Sequence, residues 1–216
     1  MDRLKLPRGV QIQASETLDR ARGEGQSQKI SEASDTSGEL KPFMGVKVRR
    51  RASLRRDCKG DYLDVPSDPY LSSMLSKRGD QKVLFADKVL KFTGSGKIKQ
   101  CIMLITECAI YIVDPDADVL KRRMPLATVD KICLSKLSDN FFAIIVPSEY
   151  DCLMASTRKT EIVSVLVEAT KGRSDYEVGV VFSNRFEYHA SANMVKEVHF
   201  EEAEGGIKTR IAKKTS

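Results

Sequence analysis

From Val83 to Ala155 the chain alternates short apolar runs with turn sequences, a pattern that predicts a series of β-strands. The predicted strands are Val83–Phe92, Ile98–Thr106, Ala109–Val113, Val119–Met124, Val129–Ser135, Phe141–Val146 and Asp151–Ala155. Between the first two lies Thr93-Gly94-Ser95-Gly96, whose two glycines allow the positive φ that a hairpin turn needs. The pattern therefore predicts a tight hairpin at the start of the sheet.

Helical patterns lie on both sides of this strand series. Apolar residues at i, i+3, i+4 and i+7 from Ile162 predict a helix that Thr157 caps and that ends at Gly172. Before the strands, Asp68 as a cap and Pro69 at the first helical position predict a short helix. Three late strands are predicted at Tyr176–Ser183, Arg185–His189 and Val195–Phe200.

Seven strands followed by one amphipathic helix predict a mainly β fold with one capping helix (α+β). This is the order of a pleckstrin-homology-like seven-strand barrel with a C-terminal helix, to which the late strands are extra. The first 45 residues are polar and have no sustained hydrophobic period, so we expect them to be disordered. The predicted parts are a disordered tail at 1–45, a basic segment and short helix at 46–80, the β domain at 81–204 and a basic C-terminal tail at 205–216.

The net charge of +6 is concentrated in one segment. Residues 1–45 carry seven basic and seven acidic side chains, and residues 60–216 carry twenty-two of each. The excess lies between Val46 and Lys59, a segment that we call the collar; its basic residues are Lys47, Arg49, Arg50, Arg51, Arg55, Arg56 and Lys59. A local basic cluster on an otherwise balanced chain predicts electrostatic contact with an anionic membrane.

Other uses of the collar are nuclear import, nucleic-acid binding and phosphorylation. Nucleic acid is less favoured, because no aromatic residues are interleaved with the basic ones as stacking platforms. The sequence Arg50-Arg51-Ala52-Ser53 fits the pattern of a basophilic kinase site. Ser53 is therefore a candidate phosphosite, and a phosphate there would weaken attraction to an anionic membrane.

Four lysines bracket the hairpin turn, namely Lys88, Lys91, Lys97 and Lys99. Folding the hairpin would gather them around one loop, which predicts a binding site for a phosphate-bearing ligand. The alternative is a solvated loop whose charges only keep the surface soluble. Each basic residue near an anionic leaflet contributes about 1 kcal/mol. These lysines and the collar would together give reversible docking that depends strongly on salt.

Nothing in the sequence favours catalysis. The two histidines, His189 and His199, fall on predicted late strands, away from any nucleophile signature or metal-ligand spacing. The nearest approach to a nucleotide-binding loop, at Gly94 to Lys97, has Ile98 where Ser or Thr would hold Mg²⁺. We therefore predict a module that is not an enzyme and that needs no cofactor and no metal.

Cysteine usage and hydropathy bear on the compartment. The five cysteines form no CxxC pair, which favours a reduced, cytosolic setting. The longest apolar run, Phe141–Val146, is far shorter than a membrane span. We expect a cytoplasmic protein that binds at the periphery of a membrane.

Three stretches resemble the tail homology 1 domain of class I myosins. The first joins Arg49-Arg50-Arg51-Ala52-Ser53 to Gly60-Asp61-Tyr62-Leu63 at the start of that domain. The second is Phe85-Ala86-Asp87-Lys88-Val89-Leu90-Lys91-Phe92 with Leu104-Ile105-Thr106, similar to its first hairpin, and the third is Lys159-Thr160-Glu161-Ile162-Val163-Ser164-Val165-Leu166, similar to its helix. In order and at this spacing, they cover the chain from about Val48 to Phe200.

The resemblance implies a pleckstrin-homology-like core and peripheral binding to anionic phospholipids, phosphoinositides included. In the family the head-group site lies across the first hairpin, so the resemblance implies that the hairpin lysines Lys88, Lys91, Lys97 and Lys99 bind a lipid head group. Lys91 matches the lysine that ends the family's first strand, and Lys97 with Lys99 can supply its alternating basic pair. Cys101 stands where many members carry an arginine, which implies weaker phosphoinositide selectivity. Without a visible motor, the chain looks like a free-standing tail module. The alternative function is a protein-interaction or adaptor module whose partners are actin–myosin cytoskeletal proteins.

Overall fold

The computed structural model of the chain describes residues 47–49, 58–172 and 176–214. It is mainly β, with two α-helices in the described residues, α1 at Pro69–Ser76 and α2 at Lys159–Thr170. The strands are β1 Lys47–Arg49, β2 Val83–Phe92, β3 Ile98–Thr106, β4 Ala109–Asp114, β5 Val119–Pro125, β6 Lys131–Leu134, β7 Phe141–Ile145, β8 Cys152–Ala155, β9 Gly179–Phe182, β10 Arg185–Ser191, β11 Met194–Ala203 and β12 Gly206–Lys213.

The strands form two sheets. The larger has the order β5-β4-β3-β2-β8-β7-β6-β9, and the smaller has the order β1-β12-β11-β10. All pairs within them are antiparallel except β6 with β9, which is parallel. A closed seven-strand barrel, which the sequence led us to expect, is not formed by the described strands. Closure would need β5 to pair with β6, but β9 lies along β6 as its neighbour on that side.

Three apolar cores follow from the alternation of side chains across the strands. One face of the large sheet, which we call face A, packs with α2 around residues such as Met103, Ile144 and Leu166. The opposite face of β2, β7 and β8 packs against the small sheet around Phe141 and Phe200, whose ring centroids lie 5.7 Å apart. The third core packs α1 against the outer side of β3 and β4. The central strands are therefore buried on both faces.

Local chemistry sets the two helix starts. The Asp68 side chain accepts a hydrogen bond from the Leu71 backbone N–H at 2.9 Å, so the predicted cap of α1 is confirmed. At α2 the prediction of Thr157 as the cap is wrong: the residue at the N-cap position is Arg158, whose side chain makes no capping hydrogen bond. The buried Ser156 hydroxyl accepts a hydrogen bond from the Arg158 N–H at 3.0 Å and so fixes the turn that leads into the helix.

The segment at 205–216, predicted as a basic tail, contains strand β12. It pairs with β11 along eight residue pairs, from Lys196 with Lys213 to Ala203 with Gly206. The collar likewise contains β1, which pairs with β12 through Lys47 with Thr209 and Arg49 with Ile207. Pairing with neighbouring strands, rather than the hydrophobicity of these segments, makes them strands.

A buried polar cluster lies on the outer side of β4. The Tyr111 hydroxyl donates to Asp80, and Arg123 reaches both groups, with its Nε 3.0 Å from the Tyr111 hydroxyl and its Nη2 3.2 Å from Asp80. Burial acts to raise the pKa of Asp80, but the hydrogen bonds from Tyr111, Cys108 and Arg123 outweigh it and hold that pKa below its usual value. The cluster ties the residues after α1 to the sheet.

Candidate functional site

The β2–β3 register decides which hairpin lysines meet. Lys91 and Lys99 are direct cross-strand partners, and the pair Val89 with Cys101 lies on the same side, two residues further from the turn. Because Val89 and Cys101 belong to the face A core, Lys91 and Lys99 continue that face towards the turn. Two cations therefore stand side by side where the core opens to solvent.

The turn itself is closed by its own backbone. The Thr93 N–H donates to the Lys97 carbonyl at 2.9 Å, and Gly96 has a φ of +86°, which favours glycine. Gly94 faces the small sheet: a Cβ there would lie 3.3 Å from the Ala190 carbonyl oxygen. The turn therefore lies against β10 and holds the exposed Lys97 at its end.

Two further residues complete this end of face A. Arg122 from β5 and Lys91 both lie near the Tyr150 ring, with the Arg122 Cζ at 4.0 Å and the Lys91 Nζ at 5.6 Å from its centroid. Tyr150, in the turn between β7 and β8, is 38% exposed. We call the end of face A formed by Lys91, Lys97, Lys99, Arg122 and Tyr150 the mouth.

Arg122 is held firmly in the wall of the mouth. Its side chain is buried, its Nη2 lies 2.9 Å from Glu149 Oε2, and its Nη1 donates to Cys152 Sγ at 3.0 Å. These contacts join β5 to the β7–β8 turn across the opening. Arg122 supplies fixed positive charge, while Lys91 and Lys99 remain the more exposed cations.

The mouth also has an acidic rim. The β4–β5 turn, which lies at the same end of the sheet, carries Asp114, Asp116 and Asp118. The hydrogen bond from Lys121, whose Nζ lies 3.3 Å from Asp114, is the main cause that lowers the pKa of Asp114. With Glu149 on the opposite side, these carboxylates offset much of the positive charge of the mouth.

Lys88 lies apart from the other hairpin lysines. It pairs with Ile102 on β3. Because Lys88 and Lys91 are an odd number of positions apart on β2, the exposed Lys88 side chain lies on the opposite face of the hairpin. There it lines a small cavity of about 160 Å³ with Asn140 and Thr157. The structure thus brings Lys91, Lys97 and Lys99 together and separates Lys88 from them.

Cys101 is part of the core wall behind the mouth. It is buried, and burial raises the pKa of its thiol to about 12. The thiol therefore stays neutral at physiological pH and adds no charge to the site. The next residue on the same strand face towards the opening is Lys99.

The start of the domain is fastened to α2 by what we call the clamp. Glu161, which is buried, accepts hydrogen bonds from the Gly60 N–H at 3.0 Å and from the Tyr62 hydroxyl at 2.8 Å. Arg158 lies with its Cζ 3.4 Å from the centre of the Tyr62 ring and donates to Asp87 at 2.9 Å. Gly60 has a φ of +78°, and a Cβ there would approach the Leu84 carbonyl oxygen to 3.0 Å, so only glycine fits.

The clamp and β1 fix the two ends of the collar. Lys47 and Arg49 lie in β1, and the exposed Lys59 directly precedes Gly60. The remaining collar residues of the sequence prediction, Arg50, Arg51, Ser53, Arg55 and Arg56, lie outside the described residues, as does the predicted disordered tail at 1–45.

Sequence reasoning missed Arg122 and Tyr150. The alternation of Arg122 with the apolar Met124 on β5 was an available signal that Arg122 points to the core side. Among the described residues, no group of His, Cys, Asp and Glu could hold a metal ion, and no helix is long and apolar enough to cross a membrane.

The described residues thus form a mainly β domain with a partly basic, open sheet end. The family model for the unconventional myosin tail, described as actin- and lipid-binding, matches residues 49–216. The chain therefore belongs to the myosin tail homology 1 family, and the resemblance seen in the sequence is confirmed.

Individual relatives agree with this assignment. The chain is 32% identical over 169 residues to the myosin IB heavy chain of Dictyostelium discoideum, covering 75% of this chain and 15% of that protein. It is 37% identical over 143 residues to the myosin IC heavy chain of Acanthamoeba castellanii, covering 58% of this chain and 12% of that protein. The chain thus spans less than a sixth of the length of these relatives.

Among solved structures, the hSac2 domain from human phosphoinositide phosphatase Sac2 has a TM-score of 0.39 at 11% identity, over 52% of this chain and 88% of that one.

Proposed function

We propose that this chain docks peripherally on anionic phospholipids, phosphoinositides included, through the mouth. The observation that carries the proposal is the pairing of Lys91 with Lys99 on face A, beside the turn that holds Lys97. Three lysines at one open sheet end can face a layer of phosphate groups together. Tyr150, exposed among them, has the apolar body and polar tip that suit the membrane interface.

The charge of the mouth alone gives weak binding. Each basic residue near an anionic leaflet contributes about 1 kcal/mol, and the acidic rim cancels part of this. The collar, with its excess of six positive charges, would supply the longer-range attraction. Because both contributions come from exposed charges, we expect binding to fall steeply as ionic strength rises.

Head-group selectivity should be modest. Lysines act as point charges and lack the bidentate geometry of arginine, and Cys101 replaces the arginine common in the family with a neutral, buried thiol. Arg122 is already engaged by Glu149 and Cys152. We therefore expect the mouth to attract anionic lipids in general and to bind phosphoinositides largely in proportion to their charge.

Liposome co-sedimentation tests this proposal. The triple substitution Lys91→Ala, Lys97→Ala and Lys99→Ala should abolish pelleting with vesicles containing phosphatidylserine or a phosphoinositide, at unchanged melting temperature. The matched control replaces three exposed lysines outside the mouth, Lys88, Lys171 and Lys213, with Ala, which removes the same net charge. Equal loss in both variants, or unchanged pelleting of the mouth variant, would contradict a local site.

The order of strands β2 to β8 followed by α2 supports a pleckstrin-homology-like relationship for the large sheet. We expect the protein to work in the cytoplasm at a membrane surface. Phosphorylation of Ser53 would lower the charge of the collar, so Ser53→Asp should weaken liposome binding; intact binding would argue against such a switch.

The second candidate function is a protein-interaction module of an actin–myosin assembly. The family description includes actin binding, and the exposed apolar residues Val181 and Phe182 on edge strand β9 favour a protein contact. Co-sedimentation with filamentous actin in the absence of lipid tests it. A protein that pellets with vesicles and not with actin filaments would leave only the lipid function.

A further inference from the structure

Strand β9 forms an unprotected edge of the large sheet. The N–H groups of Gly179 and Ser183 donate to the carbonyls of Asp130, directly before β6, and Leu134, at its end. The alternate residues Val180 and Phe182 therefore have their backbone groups directed outward. No other strand of the described residues pairs with this side. The strand contains neither a charged residue nor a proline, the usual protections of a free edge.

An apolar groove lies beside this edge. Phe182 is 57% exposed and Val181 is 42% exposed, and both belong to the few large apolar residues exposed in the described chain. Phe182 lines a cavity of about 660 Å³ between the end of β6 and α2, whose other apolar walls include Leu134, Leu137 and Val163. The groove is large enough for at least one large side chain of a partner.

The accessible charge of the groove is positive. Its two acidic residues are buried and engaged internally: Asp139 accepts from the Phe141 N–H, and Glu161 holds the clamp. Lys136 at the rim is exposed, whereas the Lys159 side chain is only 14% exposed and forms an ion pair with Asp139 at 3.4 Å. A partner that approaches from solvent therefore meets the exposed cation Lys136 beside an apolar floor.

We propose that β9 and this groove bind an extended protein segment that adds as a strand to β9. Its main chain would bond to the outward groups of Val180 and Phe182, and a large apolar side chain would enter the groove. An acidic residue beside that side chain would face the exposed Lys136, and the buried carboxylates of the groove are already engaged, so we expect the groove to favour an acidic segment over a basic one.

This site is independent of the mouth. The groove lies at the Phe141 end of β7, next to the β6–β7 connection, and the mouth lies at the Ile145 end, next to the β7–β8 turn. Substitutions in one can therefore be made without touching the other. Failure of lipid binding would leave the groove proposal standing, and the reverse also holds.

Fluorescence polarisation on the full chain tests the proposal. The ligand used is a fluorescein-labelled peptide of alternating Asp and Val residues around a central Phe, and the comparison peptide has Lys in place of Asp. We expect saturable binding of the acidic peptide, weakened about tenfold or more by Phe182→Ser. Val180→Pro removes an outward N–H without breaking the β6 ladder, and should weaken binding similarly.

The control is Val119→Ser, because Val119 is also an exposed apolar residue, at 43%, and lies on β5 at the opposite edge of the same sheet. It should leave affinity unchanged, with circular dichroism confirming that all three variants fold. Equal binding of the basic peptide, or binding insensitive to both β9 substitutions, would overturn the proposal. So would concentration-dependent dimerisation that Val180→Pro abolishes, because a second copy would then occupy the edge.

Discussion

Removing the carboxylate of Glu161 should destabilise the domain and release the end of the collar. This side chain accepts two hydrogen bonds, from the Gly60 N–H and the Tyr62 hydroxyl, across about a hundred residues of sequence. A hydrogen bond to a charged group contributes about 1.5–3 kcal/mol. Taking the lower value for each of these two partly buried hydrogen bonds, Glu161→Ala should lower the free energy of unfolding by about 3 kcal/mol in total.

Urea denaturation and thermal melting measure this loss. For a chain of this size, 1 kcal/mol shifts the melting temperature by about 2–4 °C, so Glu161→Ala should lower it by about 6–12 °C. Glu161→Gln should lose less, since its amide oxygen can still accept from Gly60 while its NH₂ faces the Tyr62 hydroxyl. Amide exchange at Gly60 should speed up in both variants, because its N–H loses a charged acceptor.

Glu168→Ala provides the matched control on the same helix. The Glu168 side chain is 75% exposed and pairs only loosely with Lys171, at 3.6 Å, so its loss should change stability by less than about 0.5 kcal/mol. If Glu161→Ala and Glu168→Ala melted alike, with equal protection of the Gly60 amide, the clamp would have no energetic role.

Three further predictions follow from the charges and thiols described above. Asp80, with its lowered pKa, stabilises the fold above its unfolded pKa of about 3.9, and this contribution is lost as the pH falls through the folded value. Asp80→Asn should therefore lower the urea midpoint at neutral pH and flatten its decline below about pH 4, whereas a wild-type midpoint at neutral pH would contradict this. Maleimide should label the exposed Cys108 in the native protein and Cys101 only after unfolding, as read by peptide mass spectrometry; native labelling of Cys101 would contradict its burial. Asp116→Asn with Asp118→Asn should strengthen binding to anionic vesicles several-fold and leave neutral vesicles unaffected, since each removed charge is worth up to about 1 kcal/mol; unchanged affinity would mean that this rim does not face the membrane. Asn also tolerates the positive φ of 46° at Asp118.

Local pattern was sufficient for the hairpin. Strands β2 and β3 begin and end at the residues that periodicity and the glycine turn predicted, because both strands carry apolar side chains on a buried face and end at clear turn chemistry. The division of the lysines was also available: Lys88 is an odd number of residues from Lys91, so the two cannot share a strand face. The prediction of one cluster of four lysines did not take account of the two-residue alternation of side chains along a strand.

The rest of the site depends on contacts distant in sequence. Arg122 and Tyr150 come from β5 and the β7–β8 turn, and only the curl of the sheet brings them beside Lys91. Strand β12 carries exposed polar residues and has a weak hydrophobic pattern, so its pairing with β11 was not visible from its own composition. The pattern within one segment predicts strands and helices that bury an apolar face. It does not predict strands, such as β12, that form because a neighbouring strand pairs with them.

The opposite placement of the mouth and the groove has a consequence for how the two proposals combine. A vesicle that contacts Lys91, Lys97 and Lys99 approaches the end of the sheet marked by the β7–β8 turn, while Phe182 lies beside the other end of β7. Neither ligand would cover the binding residues of the other. Competition between vesicle and peptide would therefore have to act through charge, because the anionic vesicle and the acidic peptide attract some of the same lysines. Such competition would weaken as salt is added. Steric exclusion, in contrast, would persist at high salt. The salt dependence of any competition thus distinguishes a tether that holds a membrane and a protein at once from a module that alternates between them.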